Sequence, residues 1–192
     1  MIEASLRKTY ERICVDPVLP LLKKVHPNHC TLLALFTGVL TLPLLILDLP
    51  YAALGAMIFS GYLDTLDGSL ARSSNQSSER GAALDIISDR IVESALIIGL
   101  FLVDPATRGL PCLLMCASVL ICVTSFLIVG LFTQNASAKS FHYSPGIMER
   151  AEAFLFFGAM IALPSFFAPL AYLFAFLVLL TAVIRKIQFF KS

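Results

Sequence analysis

Residues 64–89 read DTLDGSLARSSNQSSERGAALDIISD, a polar stretch with aspartates at positions 64, 67, 85 and 89. Before it runs TLPLLILDLPYAALGAMIFSGYL and after it RIVESALIIGLFLV, both strongly apolar. On helices, Asp64 and Asp67 stand i,i+3 and Asp85 and Asp89 i,i+4, so each pair projects from one face, one turn apart. Acids at the facing ends of two apolar runs describe two helices that finish at one polar surface. The rest of the chain has to be read around that surface.

Of the 192 residues, 58% are hydrophobic and only 14% charged, against roughly 25% charge in soluble domains. The mean hydropathy is +0.85. Such a chain dissolves in lipid, and at about 20 residues per span it has room for six. The apolar runs are 32–47, 51–70, 82–103, 110–132, 151–163 and 166–184, the fifth short enough to start inside the polar MERAE segment. The expected fold is all-α and integral to the membrane, with six transmembrane helices behind an N-terminal amphipathic interfacial helix. One domain covers 1–192, with 1–30 juxtamembrane and 31–192 forming the six-helix membrane part.

Among 14 Lys and Arg residues, Arg108 alone falls in a loop on the even side. The positive-inside rule then places both termini and all four aspartates on the cytoplasmic face. The first 30 residues lack the apolar core and cleavage site of a secretory signal. Leu6, Tyr10, Ile13 and Cys14 recur at helical spacing with Arg7, Lys8, Glu11 and Arg12 between them, the pattern of a helix lying in the interface near anionic head groups. Cys14, Cys30, Cys112, Cys116 and Cys122 form no CxxC motif and no disulfide framework. Nothing in the composition points to nucleic acid.

Four carboxylates in one pocket repel and do not all stay ionised unaided. One or two divalent cations resolve the conflict, and hard oxygen ligands suit Mg²⁺, Mn²⁺ or Ca²⁺. Consecutive spans joined by a short loop are expected to be antiparallel neighbours, which lets the two acid pairs converge. A single aspartate at a loop edge is ordinarily just solvated; four bordering intramembrane segments are costly and point to function. Gly68, Ala71 and Gly81 leave room for a large ligand near the backbone, and Arg72 offers a fixed fork for a phosphate or carboxylate. Together these suit a ligand carrying a diphosphate.

The string Asp64-x2-Asp67-Gly68-x2-Ala71-Arg72-x8-Gly81-x3-Asp85-x3-Asp89 resembles the signature of the CDP-alcohol phosphatidyltransferase family at every fixed position. Eight specified residue types give a chance expectation on the order of 10⁻⁹ per starting point. The six-span plan and the N-terminal amphipathic helix are also similar to that family. The resemblance implies transfer of a phosphatidyl or related group from a CDP-linked lipid to an alcohol, with release of CMP. It implies that Asp64, Asp67, Asp85 and Asp89 hold or adjoin two divalent cations, Mg²⁺ or Mn²⁺. Asp89 is by the same resemblance a general base, a ligand or both. Gly68, Ala71, Arg72 and Gly81 would line the nucleotide pocket. Asn28 and Thr31, in a Pro-Asn-x-x-Thr element before the first span, would contribute to it.

The acceptor half is implied by other positions. Lys139 and Arg150 flank the loop before the fifth span and Arg185 ends the sixth; all three are expected on the active-site side, converging on a phosphate. The segment 146–152, GIMERAE, resembles the Gly-x-x-Glu-Arg-x-Glu stretch of members that use inositol phosphate and related acceptors. Those members often have Arg next, where this chain has Ala153. The expected partners are CDP-diacylglycerol, membrane lipid, a small polar alcohol such as glycerol 3-phosphate or inositol phosphate, and a second copy of the chain in a homodimer. Two other readings compete. An aminoalcohol phosphotransferase using CDP-choline or CDP-ethanolamine and diacylglycerol would be expected to be longer. A divalent-cation transporter or channel would need acids near the bilayer midplane and a polar path from the far side, where the loops here are short and nearly uncharged.

Overall fold

The computed structural model describes residues 10–22, 25–132 and 146–191. Among them the regular structure is helical: a π turn Glu11–Val15, a 3-10 turn Leu19–Leu22, and the α-helices α1 (Pro27–Ile46), α2 (Pro50–Ser73), α3 (Glu79–Val103), α4 (Pro105–Phe132), α5 (Arg150–Ala162) and α6 (Phe167–Lys191). These helices follow the apolar runs of the sequence, and α5 does begin within MERAE, at Arg150. Among the described residues, three segments are long and apolar enough to cross a membrane: Pro27–Ile46, Pro105–Phe132 and Pro164–Phe190. At 1.5 Å per residue, the 24 residues of α2 and 25 of α3 have comparable reach but carry the acids. The 13 residues of α5 extend only about 20 Å. All five cysteines are free thiols.

The chain divides between Val103 and Asp104 into two compact units. In the first, Pro27 opens α1 without an orphan N–H, while the ring nitrogen of His26 accepts from Asn28 N at 3.2 Å. The turns after α1 and α2 use Asp48 (φ 56°) and Asn75 (φ 54°), residue types that tolerate left-handed backbone. The packing differs from simple pairing of consecutive helices. Both α2 and α3 pack extensively along α1 and hardly meet each other.

Small residues explain why α1 takes the central place. A side chain at Gly38 would put its Cβ 2.7 Å from Val92 Cγ1 of α3 and 2.8 Å from Ser60 Oγ of α2. Ser60 in turn donates to Ala34 O of α1 at 2.7 Å. Without a Cβ at position 38, both neighbours reach the α1 backbone. α2 and α3 thereby pack on α1 and hardly on each other.

The second unit is built from α4, α5 and α6, with α4 and α5 each packed against α6. Asp104 starts α4, accepting from Thr107 Oγ1 at 2.6 Å. Arg108, the lone cation of the even-side loops, is buried with its guanidinium 4.5 Å above the Phe167 ring. Phe157 and Phe174 join α5 to α6 with ring centroids 5.3 Å apart. Thr181 of α6 accepts from Met148 N at 2.9 Å and fixes the turn leading into α5.

Candidate metal and nucleotide site

Three carboxylates meet in the first unit, where α2 and α3 both lean on α1. Asp64 and Asp67 of α2 and Asp85 of α3 each offer an oxygen, and these oxygens lie within 4.8 Å of one another. At an effective dielectric near 20, two unit charges at that spacing repel by on the order of 3 kcal/mol. Asp67 is buried, and its Oδ2 has no hydrogen-bond partner among the described residues. An all-oxygen, acidic donor set with an unmet buried lone pair fits a hard divalent cation.

Asp89 stands one turn farther into α3, outside that triad of oxygens. The Arg90 guanidinium lies 3.8 Å from its Oδ2 and also pairs with Glu93, which is buried. Arg90 and Glu93 lie outside the signature, and sequence reasoning passed over them. The available signal was an acid at i+4 from Asp89 inside an apolar run, where an unpaired carboxylate would be costly.

The Pro-Asn-x-x-Thr element reaches the same place from α1. Thr31 is buried with its side chain against Asp67. Asn28 Oδ1 lies 3.5 Å from where a Cβ on Gly81 would sit, so that glycine admits the first turn of α1 to the start of α3. On α2, the Arg72 guanidinium folds back over Gly68, where an added Cβ would meet Nη1 at 3.4 Å. Its Nη2 donates to Ser69 Oγ at 2.9 Å and to Glu11 Oε1 at 3.0 Å. Ala71, one position before, is half-buried. Asn28, Thr31, Gly68, Ala71, Arg72 and Gly81 thus come from the three helices that frame the carboxylates.

The residues expected at an acceptor site come from later in the chain. Arg150 and Arg185 are in the second unit, the first over the Phe154 ring at 5.2 Å. Arg185 is buried, with Nη1 donating to Cys122 Sγ at 3.4 Å and its guanidinium 5.3 Å from the Phe126 ring. The Gly-x-x-Glu-Arg segment is braced locally: Gly146 N donates to Glu149 Oε1 at 3.1 Å, and Gly146 packs against Thr181 where a Cβ would not fit. Lys139 lies outside the described residues.

Comparison with known proteins shows the family. Residues 24–187 match the family described as CDP-alcohol phosphatidyltransferase. The bifunctional IPC transferase and DIPP synthase of Archaeoglobus fulgidus is 29% identical over 142 residues, 73% of this chain and 29% of that protein. The phosphatidylinositol phosphate synthase of Corynebacterium glutamicum is 30% identical over 145 residues, 73% of this chain and 65% of that protein. The chain therefore spans less than two thirds of each of these relatives. The Mycobacterium tuberculosis phosphatidylinositol phosphate synthase with CDP-DAG bound superposes with a TM-score of 0.69 at 25% identity, covering 94% of this chain and 95% of that one. Its complex with manganese and citrate gives a TM-score of 0.75 at 21% identity, covering 92% and 88%. With its signature intact and the family match running through nearly all its helices, the chain is a member of the CDP-alcohol phosphatidyltransferase family.

Proposed function

We propose that this chain is an integral-membrane phosphatidyltransferase. It would join the phosphatidyl group of CDP-diacylglycerol to a small polar alcohol, a phosphorylated polyol such as inositol phosphate or glycerol 3-phosphate, and release CMP. The observation that carries the proposal is the meeting of Asp64, Asp67 and Asp85 oxygens within 4.8 Å in a chain of this family. Binding of CDP-DAG and of manganese by the mycobacterial structures supports the donor and the metal.

In this reading Asp64, Asp67, Asp85 and Asp89 hold two divalent cations, Mg²⁺ or Mn²⁺, between them. Bound there, the cations would neutralise charge on the diphosphate and on the departing CMP. The chain's own residues do the rest. Asn28, Thr31, Gly68, Ala71, Arg72 and Gly81 bind and orient the cytidine nucleotide. Asp89 takes the proton of the acceptor hydroxyl as its oxygen attacks the phosphatidyl phosphorus. The new P–O bond forms in line with the breaking bond to CMP, which leaves with the electron pair. Arg150, Arg185 and Lys139 bind the acceptor's phosphate as charge-assisted partners.

The same reading sets α1 to α6 as six spans behind the interfacial N-terminal segment in one domain. The site and both termini then face the cytoplasm, and the chain pairs as a homodimer. Placement at the membrane surface suits the chemistry, because a lipid-anchored diphosphate has to meet a water-soluble alcohol there. The experiment is product identification. Purified protein in detergent, with Mn²⁺ and CDP-diacylglycerol, is offered inositol phosphate, glycerol 3-phosphate, inositol and serine in turn, and the lipids are identified by mass. A phosphorylated phospholipid with one of the first two is the expected result. Turnover with serine or unphosphorylated inositol alone would refute the acceptor class, and no lipid product with any acceptor would count against the transferase.

A further inference from the structure

We infer that Glu11, in the segment before the first long helix, is a positioning residue for the donor half of the site: it holds the Arg72 guanidinium in place for the CDP-linked lipid. The inference rests on the reading of the chain as a CDP-diacylglycerol-dependent transferase. It gives the N-terminal segment a part in binding that its amphipathic pattern alone did not suggest.

Three observations carry it. First, the Arg72 fork is divided. Nη2 is taken by Glu11 Oε1 at 3.0 Å and Ser69 Oγ at 2.9 Å, while Nη1 lies over the backbone of Gly68. Two partners on one nitrogen fix the plane of the guanidinium, and a planar fork recognises a phosphate only when that plane is set. Second, the ion pair is not a chance meeting of two long side chains, because the segment bearing Glu11 is itself docked. Val15 is fully buried with Cys30, Leu66 and Leu70, and Val18, Leu19, Leu22 and Tyr62 pack around them. Third, Tyr62 OH donates to Cys14 O at 3.0 Å, tying the backbone three residues after Glu11 to α2. Tyr62, Leu66 and Leu70 lie on α2 among the signature residues Asp64, Asp67 and Arg72, so the docked segment and the donor site share one helix.

The ion pair is partly exposed, with side chains 51% and 24% accessible for Arg72 and Glu11. Its contribution to folding is accordingly small; its effect should appear in donor affinity. The test uses the full-length protein in detergent with Mn²⁺, measuring the Kd for CDP-diacylglycerol, the KM for donor and acceptor, kcat and the melting temperature. For Glu11→Ala the expected result is a rise of about three- to fivefold in donor Kd and KM, the scale of a partly exposed ion pair. kcat, acceptor KM and melting temperature should stay near wild type, and Glu11→Asp should recover part of the loss. Tyr62→Phe, which removes the tether and leaves the ion pair, separates docking from positioning and should leave donor KM within about twofold.

Wild-type donor affinity in Glu11→Ala would overturn the inference, as would a loss spread equally over donor KM, acceptor KM and melting temperature. A donor KM below wild type would overturn it too, by showing Glu11 to be a competitor for Arg72. Wild-type protein that binds no CDP-diacylglycerol would sink the transferase reading and this inference with it. Binding by wild type and variant alike removes the inference alone.

Discussion

At the scale of single residues, the site is a problem in charge that the chain leaves half solved. Asp67 is buried against Thr31 and keeps one oxygen without a hydrogen-bond partner among the described residues, with Asp64 and Asp85 close by. Asp89 is placed differently, beside Arg90 and away from the triad. That placement suits a group that handles a proton beside the cations it helps to hold. Asp89→Ala should therefore lower kcat by about 10²- to 10⁴-fold, the usual worth of a general base, with CDP-diacylglycerol still bound. Single-turnover CMP formation and donor binding, measured on the same preparation, check this; unchanged turnover would remove Asp89 from the base role.

Much of this was legible in the sequence, because the four aspartates, Gly68, Ala71, Arg72 and Gly81 keep fixed spacing along two helices, and helical periodicity alone puts each pair on one face. What was not legible lies off those faces. The contact of Glu11 with Arg72 joins positions 61 apart, and no local pattern encodes it. The partnership of Thr31 with Asp67 likewise needs the packing of α1.

At the scale of elements, α1 is the frame of the site. The sequence led to α2 and α3 as direct neighbours, since a short polar loop joins them. Instead both lean on α1, and the acids of α2 and α3 meet there. Hydrophobic patterning carried no sign of this, because apolar residues surround α1. The informative residues were small ones: Gly38 under Val92 and Ser60, and Gly99 against Leu42 and Leu45. Gly38→Ala gains about 0.5–1 kcal/mol of helix propensity but forces a methyl into contacts under 3 Å, at a cost of about 1–3 kcal/mol. The clash should win. The variant should melt at a lower temperature and lose CMP release more than in proportion, because the carboxylates on α2 and α3 move apart. Thermal unfolding in detergent and a CMP assay check the two effects; a more stable, fully active variant would contradict the packing account.

At the scale of the whole molecule, the order of the helices among the described residues follows the apolar runs, with α1 and α4 starting five residues earlier and α6 running on to Lys191. Yet among the described residues three segments pass as spans on length and apolarity. The reason is composition and length: α2 and α3 carry charged residues, Asp64, Asp67, Asp85 and Asp89 among them, and α5 is short. The proposed acceptor half was less legible, since Arg150 and Arg185 lie in the second unit and Lys139 lies outside the described residues. Arg150→Ala and Arg185→Ala should raise KM for a phosphorylated acceptor about tenfold, in line with a charge-assisted hydrogen bond, while donor KM stays put. Steady-state kinetics with each substrate varied in turn will tell; an equal rise in both would take these arginines out of acceptor binding.

The most direct test of the central claim is CMP release by the purified protein from CDP-diacylglycerol and inositol phosphate or glycerol 3-phosphate, titrated with Mn²⁺ or Mg²⁺, for wild type and Asp67→Asn. The account predicts release that needs the cation, stops with a chelator, and is lost in the variant while its fold persists. Release that is indifferent to both chelator and Asp67, or a folded wild type that binds CDP-diacylglycerol and never forms CMP, would contradict it.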